Sequence, residues 1–249
     1  MTALKGKRIL ITGAARGLGR AFAEAAAEAG AKVAIADILE AEGEAVAAGL
    51  RARGCAATFR FIDLADPETV ALAIDGAVDW LGGLDGLVNN AAVATGIGGK
   101  SFEEIDLETW DRVMSVNVRG TWLVTRAAAP ALRAAHRGKV VNIASDSALW
   151  GAPKLLHYVA GNGAVIAMTR ALARELGPDG VAVNAVAPGL TVVEDHAPAE
   201  RHQFHIDGRA MHRRQLPADI VGTVLFLLSD GADFVTGQLL AVNGGFVMT

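Results

Sequence analysis

Short runs of apolar, often β-branched residues alternate along this chain with longer stretches whose apolar positions recur at helical spacing. Arg8-Ile9-Leu10-Ile11-Thr12 reads as a strand, and residues 18–29 as a helix that stops at Gly30. Residues 32–36 form the next predicted strand, 39–53 the next helix, and 57–62 a third strand. Pro67 stands where a helix begins, and the pattern carries that helix to Leu81. Strands at 86–89, 139–143, 181–186 and 239–242 bring the expected number to seven, with a long helix after Leu107. Several of these strands are apolar at nearly every position, as strands covered on both faces must be. The alternation predicts an α/β fold: a Rossmann-like, doubly wound, parallel seven-stranded sheet flanked by helices, in one domain over 1–249. Residues 190–216 break the pattern. They are rich in charge and histidine and poor in strand character, which predicts a functional lid.

Composition sharpens this picture mainly by exclusion. Hydrophobic residues make up 52% of the 249 and charged residues 20%, enough for a large core and too apolar for disorder. A net charge of −4 provides no basic surface for nucleic acid. The apolar runs are too short to cross a bilayer, and the N-terminus enters a strand with no signal-peptide pattern. The single cysteine, Cys55, rules out an intrachain disulfide and reads as an idle thiol. A soluble cytoplasmic protein with a small-molecule partner is expected.

The first chemical signal is Thr12-Gly13-Ala14-Ala15-Arg16-Gly17-Leu18-Gly19, between the first strand and first helix. Glycines there permit a tight turn and let backbone N–H groups approach a pyrophosphate, which the helix N-terminus also favours. Asp37 ends the second strand about twenty residues further on. A carboxylate at that place accepts hydrogen bonds from ribose hydroxyls and repels a 2′-phosphate, so NAD is expected over NADP. Arg16, inside the loop, offers a possible phosphate contact in the other direction. Ser145 and Tyr158 stand thirteen residues apart behind this loop, a pairing suited to hydride transfer on a carbonyl-like group.

These residues resemble the short-chain dehydrogenase/reductase family, of the shorter classical type, and the resemblance runs through essentially the whole chain. The loop from Thr12 through Arg16, Gly17 and Leu18 to Gly19 is similar to its TGxxxGxG, and Asp63-Leu64 to its adenine-contacting pair. Asn89-Asn90-Ala91-Ala92 resembles its NNAG segment, with Ala92 for glycine. Asn117 falls at its helix-bulge asparagine, which supports a water-mediated proton relay; Ser145 and Tyr158 fall at its catalytic serine and tyrosine. Pro188-Gly189 matches the segment bordering the nicotinamide, and Thr191 follows where its amide or hydroxyl would meet the carboxamide. Thr236-Gly237-Gln238 and Asn243-Gly244-Gly245 resemble the final strand, often part of a tetramer interface. The resemblance implies a nicotinamide-dependent oxidoreductase acting on a ketone or alcohol, and a homotetramer.

The family's catalytic lysine is missing: Asn162 stands four residues after Tyr158. In the family that lysine binds the nicotinamide ribose and lowers the tyrosine pKa, which is about 10 when unperturbed. Asn162 can still hydrogen-bond a ribose hydroxyl but carries no charge. Oxidation, which needs the phenolate, is expected to suffer more than reduction. A protonated imine is opposed by an ammonium about 5 Å away by roughly 3 kcal/mol at an effective dielectric of 20. Loss of the lysine therefore points to reduction of C=N bonds, with a non-catalytic NAD-binding module as the competing reading. Gly161 and Gly163 flank Asn162 and each weakens a helix by about 1 kcal/mol relative to alanine. Lys154 reads as a solvated loop lysine, His157 as a pocket or packing residue, and Asp146 as an attractor of cationic substrate or a turn cap. In the lid, Phe204, Ile206 and Met211 are candidates for substrate contact or lid packing. His196, His202, His205 and His212 have no companion spacing that makes a metal site.

Overall fold

The computed structural model describes residues 4–193 and 199–249. All seven expected strands form: β1 (Arg8–Thr12), β2 (Lys32–Asp37), β3 (Ala57–Phe61), β4 (Gly86–Asn89), β5 (Lys139–Ile143), β6 (Ala182–Pro188) and β7 (Leu239–Val242). They make one sheet in the order β3-β2-β1-β4-β5-β6-β7, parallel at every pairing. The order reverses direction between β1 and β4. Crossovers leave a crevice at the carboxyl ends of the strands there, which is where such sheets bind ligands.

Each face of the sheet is covered. Ile9, Ile11, Val33 and Ile35 pack beneath α1 (Gly17–Glu28), α2 (Glu40–Ala52) and α9 (Ala218–Leu228) through Phe22, Val46, Leu50, Val224 and Leu228. Leu10, Leu87, Val140 and Val183 meet α3 (Pro67–Leu81), α5 (Thr121–Ala134) and α7 (Leu156–Leu176) through Ile74, Val124, Leu132 and Leu176. The alternation Ile9-Leu10-Ile11 thus feeds two cores at once, which is why the strand reads as continuously apolar. Burial of each such side chain contributes about 1.5–3 kcal/mol.

Local signals set the helix ends. Asp66 caps α3 by accepting the Glu68 N–H at 2.9 Å, Pro67 opens the first turn, and Gly82 closes it at φ 75°. The long helix after Leu107 is α4 (Leu107–Val113) joined to α5 by a π-helical turn, Met114–Gly120. The stretch 190–216 is more regular than its sequence suggests. It contains α8 (Ala199–Gly208), held by the aromatic packing of Phe204 and His205 on Trp150 and Phe246. That packing is tertiary, so no helical stripe in the lid sequence announces it. Among the described residues no helix is long and apolar enough to cross a membrane.

Candidate active site

The glycine loop is shaped by contacts that exclude any side chain. A Cβ on Gly13 would lie 2.6 Å from Ala91 Cα, and one on Gly19 would lie 2.1 Å from Gly13 O and 2.5 Å from Asn90 Nδ2. Asn90 holds the arrangement: its Nδ2 donates to Thr12 O and Gly13 O, both at 3.0 Å. Its backbone N–H and that of Ala91 donate to Thr12 Oγ1 at 3.1 and 3.2 Å. Gly17 differs. Its φ is 57°, and among the described residues a Cβ there would meet only Val193, at 3.9 Å. Leu18 is half-buried in the first turn of α1, and Arg16, which precedes that helix, is exposed.

Asp37 is 7% exposed, and its carboxylate braces the same loop. Oδ2 accepts the Ala15 N–H at 2.9 Å and Oδ1 the Leu39 N–H at 3.0 Å. Each oxygen keeps one acceptor position, enough for a pair of ribose hydroxyls. Asp63 uses Oδ1 to accept the Ala65 N–H at 2.9 Å, while Leu64 is buried against Gly120. The glycine turn, the spare acceptors of Asp37 and the exposed guanidinium of Arg16 are chemically suited to a dinucleotide.

Beyond the crevice, a buried chain of amides joins the strands. Asn89 Nδ2 donates to Thr125 Oγ1 at 2.9 Å and to Asn142 Oδ1 at 2.8 Å, and Asn142 Nδ2 donates to Thr169 Oγ1 at 2.9 Å. These bonds link β4 and β5 to α5 and α7, so the helix bearing Tyr158 is referenced to the strand leading to Ser145. Asn117 lies in the π turn, a local widening common at functional sites. Its Oδ1 accepts the Val93 N–H at 2.8 Å and its Nδ2 donates to Val93 O at 3.1 Å. Its own carbonyl accepts Thr121 Oγ1 at 2.8 Å.

Ser145 follows β5. Ser147 Oγ donates to Ser145 Oγ at 2.9 Å and the Ser147 N–H does so at 3.2 Å. With both donors supplied by Ser147, the Ser145 hydroxyl proton is free to point to a ligand. Ser147 escapes the sequence reading; the Ser-x-Ser spacing, which permits this local turn, is the signal that could find it. Tyr158 is half-buried in the first turn of α7, and Asn162 one turn later is 6% exposed. Asn162 Nδ2 donates back to Tyr158 O at 2.9 Å, leaving one N–H and the amide oxygen for other use. Neither flanking glycine is demanded by packing. A Cβ on Gly161 would make ordinary contacts at 3.7–3.8 Å with Val113, Val118 and Asn117, and one on Gly163 would meet nothing within 4 Å.

At the next strand end, Pro188 is buried. The Gly189 N–H donates to Val242 O at 3.2 Å, and Thr191 Oγ1 donates to Gly189 O at 2.9 Å. The Thr191 hydroxyl is thus turned to its own chain. One expectation for Asp146 is corrected: it is 3% exposed and its side chain makes no cap bond to α6 (Ser147–Trp150). Burial pushes its carboxyl up to about 6. His157 is packed, at 1% exposure, and Lys154 lies in a turn at φ 58°. In the lid, Phe204 and Met211 are exposed, at 57% and 59%, with Phe204 against Trp150. His196 lies outside the described residues. Among the described residues no three His, Cys, Asp or Glu side chains converge as metal ligands.

This arrangement agrees with what the chain is similar to. Residues 13–247 match a family model described as enoyl-(acyl carrier protein) reductase. The chain is 39% identical over 251 residues to 2-(S)-hydroxypropyl-CoM dehydrogenase 3 of Xanthobacter autotrophicus, covering 97% of each. It is 40% identical over 232 residues to a protein of the same organism named inactive 2-(S)-hydroxypropyl-CoM dehydrogenase 2, covering 90% of this chain and 98% of that one. A solved short-chain type dehydrogenase/reductase from Mycobacterium ulcerans superposes with a TM-score of 0.93 at 30% identity, over 98% of this chain and 90% of the other. With the reversing sheet order, the glycine loop and the Ser145–Tyr158 strand-and-helix pair, these matches place the chain in the short-chain dehydrogenase/reductase family.

Proposed function

We propose that this protein is an NAD(H)-dependent oxidoreductase that reduces a carbonyl group, and a protonated imine in preference to the ketone of similar shape. The observation that carries the reading is the gathering of four strand ends around the β1/β4 reversal: the glycine loop after β1, Asn90 after β4, Ser145 after β5 and Gly189 after β6. A bound nicotinamide cofactor supplies or accepts hydride there. Gly13, Arg16, Gly17, Leu18 and Gly19 would hold its pyrophosphate, Asp37 its adenosine ribose, and Asp63 and Leu64 its adenine. Asn90, Ala91, Pro188, Gly189 and Thr191 would border the nicotinamide end. Asp37 supports NAD over NADP, because a second anion beside a 7% exposed carboxylate is repelled.

The chain's own chemistry is proton transfer and orientation. Ser145 donates its hydroxyl to the substrate oxygen, while Ser147 satisfies the Ser145 lone pairs. Tyr158 gives a proton to a carbonyl oxygen as negative charge develops there, whereas a protonated imine already carries its proton and becomes a neutral amine when hydride reaches its carbon. Asn162 keeps one N–H and its amide oxygen for the nicotinamide ribose, but provides no cation to stabilise a tyrosinate. Reduction is therefore favoured over oxidation near neutral pH. Since Val93 takes both ends of the Asn117 side chain, any relay role of Asn117 falls to its backbone carbonyl.

The test is NADH oxidation with ketones and cyclic imines from pH 6 to 9. Tyr158→Phe is expected to lower turnover at least about 100-fold with NADH binding retained. Asn162→Lys is expected to raise alcohol oxidation and lower imine reduction; unchanged or faster imine turnover rejects the imine preference. A non-catalytic NAD-binding module is the second reading, favoured by Asn162 and by the resemblance to a relative named inactive. NADH binding with no turnover on any substrate selects it. A homotetramer belongs to the same proposal and is read by light scattering.

A further inference from the structure

Asp146 follows Ser145 directly, yet its carboxylate is buried among Trp150, Asn243 and Arg209. Arg209, just beyond α8, is itself only 3% exposed. Its Nη2 donates to Leu190 O at 2.7 Å and to Gln215 Oε1 at 3.3 Å, and its Nη1 donates to Arg213 O at 3.0 Å. The backbone N–H of Asp146 donates to Pro188 O at 3.0 Å. The two residues therefore grip the chain on either side of Gly189, Asp146 through Pro188 and Arg209 through Leu190. Gly189 has no room for a side chain: a Cβ would lie 2.9 Å from Gln215 Oε1 and 3.1 Å from Arg209 Nη2. Asp146 Oδ2 and Arg209 Nε are both buried without a hydrogen-bond partner among the described residues.

A buried pair of opposite charges with bonds left unmade is a poor device for stability, since desolvation outweighs the attraction gained. What such a pair does well is select one geometry. Here it joins the residue after Ser145 to the turn that continues into Thr191. We infer that Asp146 and Arg209 are positioning residues that fix the Pro188–Gly189–Leu190 turn relative to Ser145: Arg209 holds Leu190 with its guanidinium, and the buried Asp146 carboxylate holds that guanidinium in turn. This rests on the oxidoreductase reading above. Neither residue touches the reacting atoms; both set the distance between the serine that holds the substrate oxygen and the strand end that would border the cofactor's ring.

Among the described residues the charged surroundings are few. Arg209 faces Asp146 from the lid, with Arg213 and Asp219 behind it, paired to each other at 2.6 and 2.7 Å. Trp150 and Asn243 complete the wall, and His202 and His205 of α8 are buried in the same lid. Because burial raises the Asp146 carboxyl to about 6, the pair exists as ions above that pH and loses its negative member below it.

The test is steady-state kinetics from pH 5 to 9, with NADH Kd measured in parallel, on the full-length wild type, Asp146→Asn, Arg209→Met and Arg209→Lys. Wild-type kcat/KM is expected to fall as pH drops through about 6. Asp146→Asn should show kcat/KM lowered about tenfold above that pH and no limb there. Arg209→Met should show a similar loss with the limb moved to higher pH, since the carboxyl loses its cation. Arg209→Lys, which keeps the charge without the fork, should restore the limb and part of the rate. A purely structural role would change Tm and leave the limb in place. Wild-type profiles and kcat/KM within twofold in Asp146→Asn and Arg209→Met overturn the inference. If the wild type binds NADH but turns over nothing, the oxidoreductase reading fails alone, and the pair is judged on Kd. Tenfold weaker binding in Arg209→Met then supports it, and unchanged Kd in every variant rejects it. A wild type that neither binds NADH nor turns over overturns both.

Discussion

The two sides of the crevice are built in opposite ways. On the nucleotide side, Gly13, Gly19, Asn90 and Asp37 are locked by backbone contacts, and Thr12, Ala15 and Leu39 give up their polar groups to fixed partners. On the reacting side, buried atoms are left without partners among the described residues: Asp146 Oδ2, Trp150 Nε1, both ring nitrogens of His157, His202 Nε2 and Arg209 Nε. The first side is rigid as folded, with its spare capacity confined to the outer lone pairs of Asp37. The second keeps hydrogen-bonding capacity in reserve, and buried capacity of that kind costs stability. A site that must recognise a small polar substrate while staying rigid toward its nucleotide has reason to divide its construction this way.

The contrast breaks hardest where packing is tightest. Gly19→Ala places a methyl group 2.1 Å from Gly13 O, a backbone atom that no rotamer change can move. It is expected to cost about 3 kcal/mol or more by overpacking and to abolish NADH binding, as read by urea denaturation and fluorescence titration. Normal binding by that variant would show that the loop is not the rigid element described.

The reacting side should respond with the opposite sign. The Asp146 carboxyl is raised in the folded protein, so its contribution to stability is full below the unfolded value near 3.8 and is lost as pH rises through about 6. Asp146→Asn removes that loss. It is expected to raise stability at pH 8 by about 3 kcal/mol and to leave it nearly unchanged at pH 4, measured by urea melts at the two pH values. Together with the rate loss expected above, this makes Asp146 a residue held against stability. A variant less stable at pH 8 than the parent would contradict the account. The smallest effect is expected at Gly163, where added side-chain volume meets open space. Gly163→Ala should stabilise α7 by up to about 1 kcal/mol in thermal melts, and a loss of stability there would mean that the helix needs its glycine.

The same division governs what the chain discloses before it is folded. Strand positions such as Ile9-Leu10-Ile11 and the glycine spacing after Thr12 are local in sequence, so β1, α1 and the loop are readable to within a residue. Asp37 is readable because a strand end fixes its place. The partners of Asp146 are not: Arg209 and Asn243 come from 63 and 97 residues away, and only the closed fold brings them to it. Helix α8 is hidden for a related reason, as its support is the ring cluster of Trp150, Phe204, His205 and Phe246 rather than its own periodicity. Asn162 is visible in sequence, but its back-bond to Tyr158 O exists only in the folded helix.

The π turn at Met114–Gly120 has a consequence for how this chain tolerates change in length. Upstream and downstream of it, one continuous rod serves two neighbours: Val113 and Val118 lie toward Gly161 of α7, while Leu123, Val124 and Leu132 are sunk in the core beneath the sheet. The surplus residue in the wide turn sets the rotational phase between those duties. Winding the same residues into regular α-helix would yield a straighter rod and swing one half by about 100° against the other. Regularity would then be gained at the expense of either the sheet contact or the Asn117–Val93 clamp, so at this point the length of the chain is as much a part of its design as its composition.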